Sequence, residues 1–109
     1  MYTLDFIVDG DTISLDSECD VNNLVPGPDG YLRAKFRFSS VWDGRVKVAA
    51  FFSNLGREYE PQIIDENNTC VIPAEALNKS IFKVQIIGQN SKYKLRTNKV
   101  KVYRKGGKV

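Results

Sequence analysis

The chain has 109 residues, 42% of them hydrophobic and 27% charged, with a formal net charge of +3 and no histidine. This size and composition suit one globular domain with a modest core and exclude a largely disordered chain. No apolar run approaches the roughly 20 residues that span a bilayer, and residues 1–16 lack the basic leader and apolar stretch of a signal peptide, so we expect neither.

The charges are unevenly distributed along the chain. Residues 1–75 carry 13 acidic and six basic side chains, whereas residues 76–109 carry ten basic side chains and no acidic one. Such opposed blocks can attract each other within one fold or between copies, or attract an external polyanion.

Alternating apolar residues predict strands from the start of the chain. Residues 2–8 and 12–15 are predicted to form a hairpin that turns at Asp9-Gly10-Asp11. Residues 17–30 are rich in Pro, Gly, Asn and Asp, which is typical of a surface loop. Residues 31–38 then alternate strictly, with one apolar face formed by Leu32, Ala34, Phe36 and Phe38.

Residues 45–52 show the same alternation. The alternation runs through Val46, Val48, Ala50 and Phe52, although Phe51 makes the second half of the strand apolar on both sides. Such a two-sided apolar stretch suits a strand in the middle of a packed sheet, which favours a sandwich. Because the connection over 39–44 is short, we expect this strand to pair antiparallel with residues 31–38.

The second half of the chain predicts further short elements. Residues 73–78 form the one plausible helix, one or two turns long, with Pro73 near its start. The predicted strands are 58–64, 69–72, 80–87 and 93–103. In the last of them the two halves place apolar residues on different faces, so we expect a bulge or twist near Thr97 and Asn98.

These elements predict an all-β fold of seven to nine short strands, an antiparallel β-sandwich with at most one short helix. We assign residues 1–103 to a single domain and residues 104–109 to a flexible basic tail.

The sequence does not indicate catalysis. Without histidine the usual general base and the commonest metal ligand are missing. Carboxylate pairs such as Asp9 with Asp11 lie in predicted turns, where acids bond the local backbone. We therefore expect no enzymatic activity, no metal and no cofactor. Cys19 and Cys70 either pair, if the fold brings them together, or remain free thiols.

The basic C-terminal strand has three interpretations. Its cations are interleaved with Tyr93 and Tyr103 and comprise Lys92, Lys94, Arg96, Lys99, Lys101, Arg104, Lys105 and Lys108. They could follow a nucleic-acid backbone, or protect an edge strand from aggregation, or meet the acidic region of a neighbouring copy. The protective role is favoured over nucleic acid. Alternation places Lys94, Arg96 and Asn98 on one side.

Trp42 allows two interpretations. An exposed indole next to a turn could stack on a sugar ring, whereas a lone Trp at a strand end more often closes the core. We favour the core role. The alternative hypothesis is a module for bacterial surface polysaccharide, with Trp42, Tyr59 and Tyr93 as stacking platforms. It predicts at least two of these rings exposed on one face.

The run from Phe36 to Gly44, followed by Lys47, Ala49 and Phe51, resembles the pattern F-x-F-S-x-x-W-D-G…K-x-A-x-F. This pattern is that of a small β-sandwich module in tail, baseplate or fibre proteins of phages and prophages of Gram-positive bacteria. Residues 70–77 resemble its C-x-I-P-x-E-x-L segment, and residues 82–88 and 95–98 its last two strands. Residues 1–30 have no counterpart, and Val41 stands where an acidic residue is expected.

The resemblance implies an immunoglobulin-like, non-enzymatic virion module that binds other virion proteins or copies of itself, without a membrane. It implies that Trp42 and Pro73 cover an open end of the sandwich and that Asp43 bonds backbone amides of the turn that Gly44 completes. The motif residues to which it gives a structural role are Phe36, Phe38, Trp42, Asp43, Gly44, Pro73, Leu77, Thr97 and Asn98.

Overall fold

A computed structural model describes residues 3–17, 32–89, 92 and 94–103. The elements in chain order are β1 (Leu4–Asp9), β2 (Thr12–Leu15), β3 (Arg33–Phe38), β4 (Val46–Ser53), β5 (Gln62–Ile63), β6 (Thr69–Val71), α1 (Ala74–Leu77), β7 (Ile81–Gln89), β8 (Lys94–Arg96) and β9 (Val100–Tyr103). A 3₁₀ helix, Ser40–Trp42, links β3 to β4. Within these residues, no helix has the length and hydropathy that a membrane crossing requires.

The strands form two sheets. The first sheet has the order β2-β1-β3-β6, and the second has the order β5-β4-β7, with β8 and β9 both pairing with β7. The pairs are antiparallel except β1 with β3, which is parallel. The predicted all-antiparallel pairing is therefore wrong at this position. The segment between β1 and β3 is long enough to return the chain to the same end, as parallel pairing requires.

The described body is mostly β, and both sheets contribute side chains to one hydrophobic core, as in a sandwich. Phe6 and Phe36 of the first sheet stack with ring centroids 5.3 Å apart. Phe51 and Phe82 of the second sheet lie 6.4 Å apart in a tilted arrangement. These four buried rings account for much of the apolar surface that drives the two sheets together.

β3 and β4 lie in different sheets, so the predicted hairpin between them is wrong. The connection between them crosses from the first sheet to the second, and Trp42 within it is fully buried. A short connection suits a hairpin and a crossing between layers equally well. The buried indole explains the crossing, because it fills the space between the two layers.

The predicted core face of β4 is wrong for Val46 and Val48, whereas Ala50 and Phe52 are buried, with 1% and 7% of their surface exposed. Ala49 and Phe51 face the shared core, whereas Val46 on the opposite face is 67% exposed. Apolar residues occur at both parities along this strand, so alternation alone could not select the inner face.

The predicted bulge is confirmed. Ile87 of β7 pairs with Arg96, whereas Val84 pairs with Val100. Three steps along β7 thus correspond to four steps from β8 to β9, which places one extra residue between these strands.

Other local predictions hold in part. The hairpin of β1 and β2 turns at Gly10, which has φ +58°, and α1 follows directly after Pro73. β5 is shorter than predicted, since Pro61 has no N–H for a ladder. Most of the predicted loop over 17–30, the tail over 104–109, Cys19 and Tyr93 lie outside the described residues.

Candidate functional site

The aromatic residues of the motif are packing residues. The Phe36 and Phe38 rings lie 5.8 Å apart, and the Phe38 and Trp42 rings 5.6 Å apart. The Trp42 indole Nε1 donates a hydrogen bond to the Gly10 carbonyl oxygen over 2.8 Å. The preferred interpretation of Trp42 as a residue that closes the core is thus confirmed.

The same burial contradicts the stacking hypothesis for two of its three rings. Trp42 has no exposed surface, and Tyr59 is only 8% exposed. A ring packed into a protein core presents no free face to a sugar. Tyr93 lies outside the described residues, so the required exposed pair is not found among the described rings.

The turn after Trp42 follows the prediction only at Gly44. Gly44 has φ +74°, a conformation that favours glycine. Asp43 is exposed, and its backbone N–H donates to the Ser40 carbonyl oxygen over 3.0 Å. Within the described part of the chain its carboxylate has no hydrogen-bond partner, so the predicted side-chain bond to the turn is wrong.

Trp42 and Pro73 do not cover the same end of the fold. Pro73 precedes α1, and the chain then enters β7 at Ile81. Trp42 instead packs on Gly88 near the other end of β7. The seven residue-to-residue steps from Ile81 to Gly88 extend about 23 Å in a strand. The prediction that Trp42 and Pro73 together cover one end of the sandwich is therefore wrong. Leu77, another residue of the motif, packs at the margin of the core.

Thr97 and Asn98 stabilise the bulge and connect the two sheets. The Ile86 N–H donates to Thr97 Oγ1 over 2.9 Å, and Thr97 is buried. The Ile13 N–H donates to Asn98 Oδ1 over 2.8 Å, and Asn98 Nδ2 donates to the Ile13 carbonyl oxygen over 3.3 Å. The Asn98 amide thus pairs with β2 much as a neighbouring strand would.

The bulge places four cations on the outer face of the second sheet. We call them the basic row: Lys94, Arg96, Lys99 and Lys101. All four are exposed, while Leu95, Val100 and Val102 face the core between them. Lys99 and Lys101, rather than the predicted Asn98, therefore continue the line of Lys94 and Arg96. The row runs beside β7 from Lys83 to Gln89, six residue-to-residue steps, and so extends about 20 Å.

An apolar stripe lies beside the basic row on the same face. It consists of Val46, Val48, Ile63 and Ile87. Ile63, Val48 and Ile87 are directly opposite one another on β5, β4 and β7, and Arg96 follows on β8. Ile63 is 75% exposed. The stripe was not predicted, because Val46 and Val48 were expected in the core; its signal in the sequence is the run of apolar residues at both parities of β4.

One cation of the basic row lies over an aromatic ring of β4. The Lys99 Nζ atom lies 4.1 Å from the centroid of the Phe52 ring, which covers the outer face of β4. A cation over an aromatic face is held by the ring quadrupole. The contact fixes one cation of the row against the apolar part of the sheet.

The described residues show no arrangement typical of metal or nucleophilic chemistry. No group of three or more His, Cys, Asp or Glu side chains among them could hold a metal ion. Cys70 is a free thiol, and burial raises its pKa to about 12. It therefore stays protonated and unreactive at neutral pH.

Comparisons of the chain with protein-family models, with curated proteins and with solved structures found no match. Function must therefore be argued from the geometry of the chain itself and from the motif resemblance. The outer face of the second sheet is the surface that combines exposed apolar side chains with a line of cations.

Proposed function

We propose that this chain is a non-enzymatic structural module of a phage or prophage virion, in a tail, baseplate or fibre, with an immunoglobulin-like sandwich fold. It acts by binding other virion proteins or copies of itself. The motif resemblance supports the context, and the role of Phe36, Phe38, Trp42 and Gly44 in packing or turning the frame is consistent with it.

The observation that carries the proposed binding role is the pairing of the apolar stripe with the basic row. Single exposed apolar residues are ordinary on protein surfaces, but side chains aligned across three adjacent strands form a continuous patch. Burying an aliphatic side chain that was exposed gains about 1.5–3 kcal/mol. Ile63 and Val46 are therefore the residues from which a partner gains most.

The basic row restricts which partner fits. A partner surface that carries acidic groups beside apolar ones complements this face, and the charges accelerate encounter while excluding basic surfaces. Within one copy, exposed acids such as Asp9, Asp11 and Asp43 lie near the Trp42 end. Copies that pack head to tail can bring such acids to the row of a neighbour.

Two measurements test this proposal. Mass spectrometry of particles purified from the bacterial host should find the chain as a stoichiometric component; its absence from the particles rules out a virion role. Sedimentation and pull-down with the other particle proteins should then show binding that Val46→Ser combined with Ile63→Ser weakens at least about tenfold, as loss of buried apolar area implies. Ile7→Ser, on the outer face of the first sheet, is the matched control.

A second candidate, binding of single-stranded nucleic acid, has one observation in its favour: the line of four exposed cations. Such binding normally adds aromatic platforms, and on this side of the described structure only Tyr103 offers a well exposed ring. A mobility-shift assay separates the cases, because retention that vanishes at modest salt indicates nonspecific attraction alone.

A further inference from the structure

A cleft with two lobes opens at the end of the body where β7 begins. It lies between the segment that follows β4 and the segment that joins α1 to β7. Arg57, Tyr59 and Lys79 line both lobes, so these three residues define its centre. This end is remote from Trp42 and belongs to neither the apolar stripe nor the basic row.

Tyr59 contributes its phenol to the wall of the cleft. Its ring is part of the core, and its N–H donates to the Phe51 carbonyl oxygen over 2.8 Å. The side chain is 8% exposed, and among the described residues the phenol oxygen has no hydrogen-bond partner. Because Tyr59 lines both lobes and its phenol oxygen has no protein partner among the described residues, the hydroxyl can exchange water for a ligand in the cleft.

Arg57 and Lys79 bring two positive charges to the same cleft. Both are exposed, and neither forms an ion pair with another described residue; the salt bridge in this part of the chain joins Arg37 to Asp16. Glu75 lines the outer lobe only. Among the described residues that line it, the inner lobe has two cations and no acidic group, so it is suited to an anion.

The remaining wall of the inner lobe is apolar and hydroxylated. Ile81 contributes aliphatic surface, Leu55 stands at the rim with 96% of its surface exposed, and Ser53 and Ser80 add hydroxyl groups. A bare inorganic anion would leave the aliphatic wall unused. A ligand with a carbon skeleton, hydroxyl groups and one anionic group can contact the aliphatic wall, the hydroxyl groups and the two cations of the lobe together.

We propose that this cleft binds a sugar acid or sugar phosphate unit. Its anionic group lies between Arg57 and Lys79, one of its hydroxyl groups bonds the Tyr59 hydroxyl, and its carbon face contacts Ile81 and Leu55. The inference goes beyond the assembly role, because it uses a different surface and a different kind of partner. It also replaces ring stacking, which the buried Tyr59 ring does not allow, by hydrogen bonding through the Tyr59 hydroxyl.

The test is a titration of the whole chain followed by ¹H–¹⁵N NMR, with glucuronic acid and glycerol 1-phosphate as anionic probes and glucose as the neutral control. Shift changes should concentrate on residues 53–59 and 79–81 for at least one anion. The anion that binds identifies carboxylate or phosphate as the recognised group. Glucose should bind at least about tenfold more weakly, because charge-assisted hydrogen bonds are the strong ones.

Three variants make the test specific. Arg57→Ala with Lys79→Ala should weaken binding at least about tenfold, and Arg96→Ala with Lys101→Ala, the same charge change on the basic row, should not. Tyr59→Phe should weaken binding severalfold and leave the melting temperature unchanged or higher, since the hydroxyl has no internal partner to lose. No localised shifts with either anion, equal loss in both double variants, or a large drop in melting temperature for Tyr59→Phe would each overturn the inference. Any of these results leaves the virion proposal intact, since that proposal depends on the other surface.

Discussion

The indole of Trp42, in the connection between the two sheets, packs against the backbone of Gly88 in β7 of the second sheet. A Cβ atom built at Gly88 would be 2.6 Å from Cζ3 and 2.8 Å from Cε3 of the indole, closer than carbon atoms approach. Since the indole Nε1 also bonds the Gly10 carbonyl oxygen, Trp42 joins the β1–β2 turn to β7. The absence of a side chain at position 88 is thus a condition for closing this end of the core.

Gly88→Ala should therefore destabilise the fold. The added methyl group meets a rigid, fully buried ring, and overpacking of this kind costs about 1–3 kcal/mol. Urea unfolding monitored by the fluorescence of the single Trp measures the change directly. Gly56→Ala, where nothing lies within 4 Å but φ is +95°, separates backbone strain from the steric clash. If Gly88→Ala unfolded at the same urea concentration as the wild type, the indole could move aside without loss of stability, which would contradict the prediction.

Asn98→Ala should loosen the edge where the two sheets meet. The substitution removes both hydrogen bonds to Ile13 and leaves its backbone groups to water or unpaired, at a cost of about 1–2 kcal/mol. Faster hydrogen exchange of the Ile13 amide is the specific readout. Asn67→Ala is the control, since at Asn67 the hydrogen bond to Asp65 comes from the backbone N–H. Unchanged protection of Ile13 would contradict this role of Asn98.

Acidification should remove a contribution of Asp65. Hydrogen bonds from the Thr69 and Asn67 backbone lower its pKa below the ordinary 3.8. A carboxyl group with a depressed folded pKa stabilises the fold above its unfolded pKa and loses that effect as pH falls through the folded value. The stability difference between the wild type and Asp65→Ala should be constant near neutral pH and shrink below about pH 4. A difference that persists at pH 2 would exclude this linkage.

Association through the basic row should weaken with salt. Exposed charges are screened within about 10 Å at 0.1 M ionic strength, so raising the salt concentration should reduce binding of an acidic partner. Light scattering and sedimentation across a salt series measure it. Arg96→Glu should lose most of the salt dependence, and Lys35→Glu, on the outer face of the first sheet, should retain it. If the affinity did not change with salt concentration, the basic row would not contribute to binding and the apolar stripe alone would account for it.

Sequence patterns predicted the local features that a single strand determines. The bulge near Thr97 was predictable because Leu95 and Val102 occupy opposite parities and both must reach the core. Burial of Trp42 was predictable because a lone Trp at a strand end usually packs into the core. The pairing of β3 was not predictable, since a short connection does not distinguish a hairpin from a crossing between sheets.

The candidate surfaces were harder to predict than the fold. The cations of the basic row were recognised, but their common side depends on a one-residue register shift. The apolar stripe was assigned to the core because β4 is apolar at both parities. The cleft gave no sequence signal, because Arg57 and Lys79 stand 22 positions apart and meet only through the tertiary fold.

The extra residue between β8 and β9 has a consequence for how such a chain can change. Deleting Asn98 would remove the bulge and leave regular alternation, with Leu95, Val100 and Val102 still directed inward and Lys99 and Lys101 still outward. One codon deletion would thus keep the charged outside and the dry inside, and it would remove only the amide that attaches this edge to β2.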